Sequence, residues 1–123
     1  MQINESIENY LETILILQKD TGAVRSINIA KKLSVTKPSV SYATKRLREN
    51  GYITMEKDGL ISLTDTGYAI AHEIYERHKV LTDFLMRLGV PEATAREDAC
   101  KIEHDLSADT FNAICDYAKR ARD

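Results

Sequence analysis

Cys100, Glu103 and His104 stand at spacings of three and one in a single stretch of chain. In a helix these are positions i, i+3 and i+4, which project from the same face. A thiol, a carboxyl and an imidazole brought together in this way are ligand types for first-row transition metals. Taken singly they say little, since a lone cysteine on a helix is usually packing and Glu-His pairs are common on surfaces. His78 falls inside an apolar stripe, four residues after Ile74 and three before Leu81. It is therefore either a core histidine with a polar partner or a ligand. Asn9 and Glu12 are again three apart on one face, and Glu5, Glu8 and Glu12 form a line that reads as a solvated acidic edge. His72 converges with none of these groups and reads as a surface residue. Cys115 shares a face with Phe111 and Ile114 and reads as packing.

The elements that must carry these residues can be traced along the chain. Asn4 to Lys19 reads as a first helix, with Ile7, Tyr10, Leu11, Ile14, Leu15 and Leu17 as its apolar face and Asn4 or Ser6 as its cap. A short helix of about Ile27 to Lys32 follows, opened by Ser26 as N-cap, with Ile29, Ala30 and Leu33 turned inward. Ser34-Val35-Thr36 makes a tight connection, and Pro38 fits the first turn of the next helix, where a missing N–H costs nothing. That helix runs to about Glu49, with Val40, Ala43, Thr44 and Leu47 inside, and Asn50-Gly51 stops it. Tyr52 to Glu56 and Leu60 to Thr64 read as strands joined by Lys57-Asp58-Gly59, a strong hairpin signal. A long helix opens at Thr66-Gly67 and closes at Gly89, with Ile70, Ile74, Leu81, Leu85 and Leu88 in its stripe. Another is expected from about Glu92 to Leu106, and a last one after Ser107, a good N-cap. The fold is expected to be mainly α with a small β-hairpin, its N-terminal part a winged helix-turn-helix.

The charge distribution suits that module. The net charge of the chain is −2, yet Arg25 to Lys57 holds eight basic residues against two acids, and Leu63 to Asp123 holds eight against twelve. Attraction to phosphate depends on the local surface and not on the sum, so the basic segment points to DNA. The helix that enters the major groove reads bases from its N-terminal turns, here Thr36, Lys37, Ser39, Ser41 and Tyr42. Lys45, Arg46 and Arg48 would neutralise backbone phosphates, Lys57 would sit at the wing tip, and Arg25 opens the basic segment. The alternative use of such a domain is protein contact with a solvated basic face.

Composition is ordinary for a globular protein: 43% of residues are apolar and 29% charged. No apolar run approaches the roughly 18 residues of a membrane helix, and the N-terminal residues Met1 to Glu5 lack the basic start of a signal peptide. The expected location is the cytoplasm, with no membrane partner. There Cys100 and Cys115 are expected to be thiols.

Taken together these residues resemble the iron- and manganese-dependent repressors typified by the diphtheria toxin repressor and the manganese transport regulator. The likeness covers nearly the whole chain. It includes Glu8-Asn9-Tyr10-Leu11-Glu12, Ile29-Ala30 with Leu33, Pro38-Ser39-Val40-Ser41 and Leu63-Thr64-Asp65-Thr66-Gly67. It continues through Arg77-His78 and Cys100-Lys101-Ile102-Glu103-His104 with Leu106-Ser107. The resemblance implies a DNA-binding domain over residues 1–65 and a helical metal-binding and dimerisation domain over 66–123. It implies a homodimer on an operator in double-stranded DNA, and repression of metal-uptake genes in place of catalysis. Its implied metal site uses Glu12, His78, Cys100, Glu103 and His104. Asn9 stands where iron-responsive members have methionine and manganese-responsive ones aspartate. Cys100 matches the iron type, so Fe(II) leads and Mn(II) follows, with Zn(II), Co(II) or Ni(II) able to bind in vitro. Thr82 and Arg96 occupy the positions of two ligands of the family's ancillary site, and the short form without an SH3-like domain is implied.

The same residues admit three other uses. A winged-helix regulator could respond to thiol oxidation at Cys100. A small metalloenzyme could activate water at an open mixed-ligand site, but no general base is left beyond the ligands. A structural zinc protein would use more cysteines than this.

Overall fold

The structure is a computed structural model that describes residues 5–122; the expected cap Asn4 lies outside them. Its elements are α1 (Glu5–Thr21), α2 (Ser26–Leu33), α3 (Lys37–Glu49), β1 (Ile53–Met55), β2 (Ile61–Leu63), α4 (Asp65–Arg87), α5 (Glu92–Ile102) and α6 (Ala108–Arg122). The chain divides into two compact units, Met1–Glu73 and Ile74–Asp123, and the division falls within α4.

In the first unit α1 packs on α2, α3 and β2, and α3 packs on β1. The core of that unit is Leu11, Ile14, Ile29, Val40, Leu47, Ile53 and Ile61, all almost fully buried. These are the periodic apolar positions of each element, so burial follows the sequence pattern directly. Thr36 caps α3, its hydroxyl accepting from the Ser39 amide at 3.3 Å, and Pro38 stands in the first turn where no amide is needed. Gly51 closes α3 with a φ of +79°, the left-handed conformation that glycine adopts without penalty.

The expected Ser26 cap is displaced by one residue. Ser26 is already helical, and the Arg25 amide donates to the Asn28 side chain at 2.8 Å. Asn28 thus satisfies the backbone group that a serine cap leaves to others.

The wing is a two-stranded antiparallel hairpin with Ile53 opposite Leu63, Thr54 opposite Ser62 and Met55 opposite Ile61. Its turn is closed by Gly59 N–H donating to the Glu56 carbonyl at 2.9 Å, with Gly59 at φ +89°. The Ile61 amide also donates to the Val24 carbonyl at 2.8 Å. This anchors β2 to the segment between α1 and α2.

The start of α4 is a backbone-to-backbone contact. The Thr64 amide donates to the Tyr52 carbonyl at 3.1 Å, and the Thr64 hydroxyl caps the helix by accepting from the Gly67 amide at 3.1 Å. Gly67 lies so close to Tyr52 that a Cβ placed there would stand 2.0 Å from the Tyr52 carbonyl oxygen. Only glycine fits.

In the second unit Ile74, Leu81, Ala95 and Ala99 are buried, and α6 is capped by Ser107, whose hydroxyl accepts from the Thr110 amide at 3.2 Å. The helix expected to reach Leu106 ends earlier. α5 stops at Ile102, and Glu103 to Asp105 form a turn, with the Asp105 amide on the Ile102 carbonyl at 3.0 Å. The stripe on α4 also divides: Leu81 is buried, whereas Leu88 is 64% exposed. Among the described residues no helix is long and apolar enough to cross a membrane.

Candidate metal centre and nucleic-acid surface

The second unit brings three of the expected ligands together, two imidazoles on one carboxylate. Glu103 is fully buried at the residue that follows α5. Its Oε2 lies 3.2 Å from Nδ1 of His78, which projects from α4. Its Oε1 lies 3.3 Å from Nε2 of His104, whose side chain is only 2% exposed. That second contact lacks hydrogen-bond geometry, leaving Oε1 buried with no hydrogen-bond partner among the described residues.

Burying a carboxylate is costly unless positive charge or hydrogen bonds compensate it. Here the compensation within the unit is two imidazoles, and one oxygen is left incompletely satisfied. The donor set is nitrogen and oxygen, and it fits a divalent cation better than it fits an apolar core.

Cys100 is exposed on α5, one turn before Glu103, and forms no disulfide with Cys115. On α1, Asn9 is half-buried and Glu12 is 6% exposed. Glu12 therefore departs from the solvated acidic edge that its neighbours suggested. His72 is exposed and stacks on Tyr68 at 5.5 Å, consistent with a surface role. Cys115 is half-buried, and burial pushes its thiol up, outweighing the opposing charges of Lys119 and Arg77. Such a thiol is a packing group and a poor ligand at neutral pH.

In the first unit all ten expected DNA contacts are exposed: Arg25, Thr36, Lys37, Ser39, Ser41, Tyr42, Lys45, Arg46, Arg48 and Lys57. Two of them are pre-arranged on α3. Tyr42 is 63% exposed, and Arg46 donates to its hydroxyl at 2.8 Å with the guanidinium 5.5 Å from the ring centroid. Arg25 has an internal partner instead of standing free: it pairs with Asp58 at the wing turn, 3.3 Å away. Asp58 is held below the usual carboxylate range by the Leu60 amide first and then by Arg25. The pair joins the start of α2 to the wing tip beside Lys57, an association that no sequence spacing announces.

Comparison with known proteins decides what this combination is. Residues 2–61 match the profile described as the iron dependent repressor N-terminal DNA binding domain. Residues 64–122 match the iron dependent repressor metal binding and dimerisation domain. The chain belongs to the iron-dependent repressor family. Relatives of this family are transcriptional regulators and not enzymes. An HTH-type transcriptional regulator of Methanocaldococcus jannaschii is 33% identical, over 98% of this chain and 98% of its own length. The transcriptional regulator MntR of Salmonella typhimurium is 35% identical, over 94% of this chain and 74% of its own. Among solved structures, the manganese regulator SloR aligns with a TM-score of 0.80 at 28% identity, over 97% of this chain and 55% of its own. The chain spans about half the length of the first solved structures it matches. Both parts of a metal-dependent repressor are thus present, the DNA-binding domain and the metal-binding and dimerisation domain.

Proposed function

We propose that the protein is a homodimeric repressor that binds operator DNA when a divalent transition metal is available and so controls metal-ion uptake genes in the cytoplasm. The observation that carries this reading is the buried Glu103 carboxylate between two imidazoles, in a stretch matched to a metal-binding domain. The proposed ligand set is Glu12, His78, Cys100, Glu103 and His104, with Asn9 contributing through its carbonyl oxygen. A bound divalent cation supplies the positive charge that a set containing two buried carboxylates requires.

Glu12 belongs to the first unit, and the other ligands apart from Asn9 belong to the second. Ligands drawn from both would tie the DNA-binding domain to the dimerising one and fix the spacing of two recognition helices on successive major grooves. Metal and DNA affinities are then reciprocally coupled, by roughly 1–3 kcal/mol. Lys37, Ser39 and Ser41 would face base edges, and Lys45, Arg46, Arg48 and Lys57 the phosphates.

Iron and manganese are both served by this donor set. The thiolate of Cys100 favours Fe(II) over Mn(II). The nitrogen and oxygen donors around Glu103 suit Mn(II), and solved relatives bear the name of manganese regulators. The ranking proposed is Fe(II), then Mn(II), with Zn(II), Co(II) and Ni(II) able to occupy the site in vitro.

An apolar face in the second unit supports the homodimer. Phe84, Leu88, Ala113, Ile114 and Tyr117 line an open groove of about 450 Å³. Large exposed apolar groups of this kind mark association surfaces.

The test is anaerobic DNA binding by fluorescence anisotropy, on duplexes selected from a random pool, with chelator and then with Fe(II) or Mn(II). Tighter binding with metal is expected. Equal affinity in both states would remove the metal from the function and leave a regulator with another trigger.

A further inference from the structure

Two consecutive residues of α4 hold opposite ends of Glu103. His78 meets its carboxylate at 3.2 Å, and Arg77 Nη1 donates to its main-chain carbonyl at 3.4 Å. The Arg77 guanidinium also lies over the Phe111 ring of α6, 4.6 Å from its centroid. We propose that Arg77 is a positioning residue for the metal site, fixing the main chain of Glu103 so that its carboxylate is presented in one place; this rests on the metal-binding reading above.

Glu103 follows the last helical residue of α5, so its carbonyl belongs to the helix end, where the ladder no longer supplies donors. A cation placed there meets both an acceptor and the negative end of the helix dipole. Arg77 supplies that cation from α4 and rests its flat face on α6, so the turn from Glu103 to Asp105 is braced from two helices at once. The short α5 is otherwise held by small buried residues, Ala95 and Ala99. Such small side chains give the end of the helix little grip. Guanidinium does two things that ammonium cannot do together, a directed N–H and a planar stack.

Charge alone predicts the opposite outcome. Arg77 places a positive group beside a residue proposed to hold a divalent cation, and like charges repel. If Arg77 acted only through its charge, removing it would tighten metal binding. If it acts by holding Glu103, removing it weakens binding, as loss of a group that orients a ligand does.

The experiment uses the full chain as wild type, Arg77→Met, Arg77→Lys, Phe111→Leu and the Arg77→Met/Phe111→Leu double variant. Metal-free thermal melts establish that each is folded. Affinity for Mn(II) and Co(II) is read by titration calorimetry, and the geometry of the site by the visible absorption of bound Co(II). Arg77→Met and Arg77→Lys are expected to lose about 10- to 100-fold in affinity with an altered Co(II) spectrum. Phe111→Leu should lose less, and the double variant no more than Arg77→Met alone. Should Arg77→Met fail to fold, Arg77→Lys, which keeps charge and bulk, carries the test. Unchanged or tighter binding in a folded Arg77 variant overturns the proposal. A wild type that binds neither metal overturns the metal reading itself.

Discussion

Replacing Gly67 by alanine sets two well-understood effects against each other. Gly67 lies in the first turn of α4, where alanine is favoured over glycine by about 0.5–1 kcal/mol on helix propensity alone. The added Cβ would stand 2.0 Å from the Tyr52 carbonyl oxygen and 2.9 Å from its carbonyl carbon. Both are backbone atoms, so no side chain can swing aside. Relief requires α4 to back away from Tyr52 by more than an ångström, which stretches the Thr64–Tyr52 hydrogen bond and disturbs the Thr64 cap. Overpacking of this kind costs about 1–3 kcal/mol, and losing a hydrogen bond adds about 0.5–1.5 kcal/mol. Against the propensity gain, a net loss near 2 kcal/mol is expected. For a unit of this size that lowers Tm by roughly 8–16 °C. Thermal and urea melts followed by circular dichroism measure it. A Gly67→Ala protein as stable as wild type would refute the close approach on which the reasoning rests.

Three further outcomes are expected. Asp58 has its carboxyl depressed by the Leu60 amide and Arg25, so its contribution to stability is present above its unfolded pKa of about 3.9 and is lost as pH falls through the lower folded value. Urea melts should therefore show wild type more stable than Asp58→Asn at pH 7, with the gap closing as the pH drops below about 4; a gap that widens there contradicts the assignment. Leu88→Glu, on the exposed apolar face, should weaken self-association by about 2 kcal/mol or more, a roughly thirtyfold rise in dimer Kd, read by sedimentation equilibrium; an unchanged dimer would place the interface elsewhere. Lys45→Ala should weaken DNA binding for all sequences alike and reduce the salt slope by about 1, whereas a sequence-dependent loss would assign Lys45 to base reading.

Much of the fold was legible because local signals and tertiary need agree. Thr36 with Pro38 starts α3, Asp58-Gly59 turns the wing, and Ser107 caps α6, each for a reason confined to a few residues. Where the sequence misleads, a distant contact decides. The pattern carries the fifth helix to Leu106, yet α5 ends at Ile102, and the Glu103 carbonyl released there is met by Arg77 from α4. Glu12 is buried, although its line with Glu5 and Glu8 would equally suit a solvated edge, and periodicity alone does not separate the two. The Arg25–Asp58 pair spans 33 residues, and nothing in either neighbourhood signals it. Arg77 did leave a trace, since it adjoins His78. His78, Glu103 and His104 were legible by type and spacing, and the structure brings them together.

The proposed metal response rests on Glu103 as a ligand that couples to DNA. Its most direct test is Mn(II) binding by equilibrium dialysis and operator affinity by anisotropy, measured together on wild type and Glu103→Gln. Glutamine keeps the shape of the side chain and removes the charge. The expected result is a folded variant that loses metal uptake, and with it the metal-dependent part of DNA binding, while keeping the basal affinity of the basic face. A Glu103→Gln protein that still takes up Mn(II) and still tightens on DNA when metal is added would contradict it.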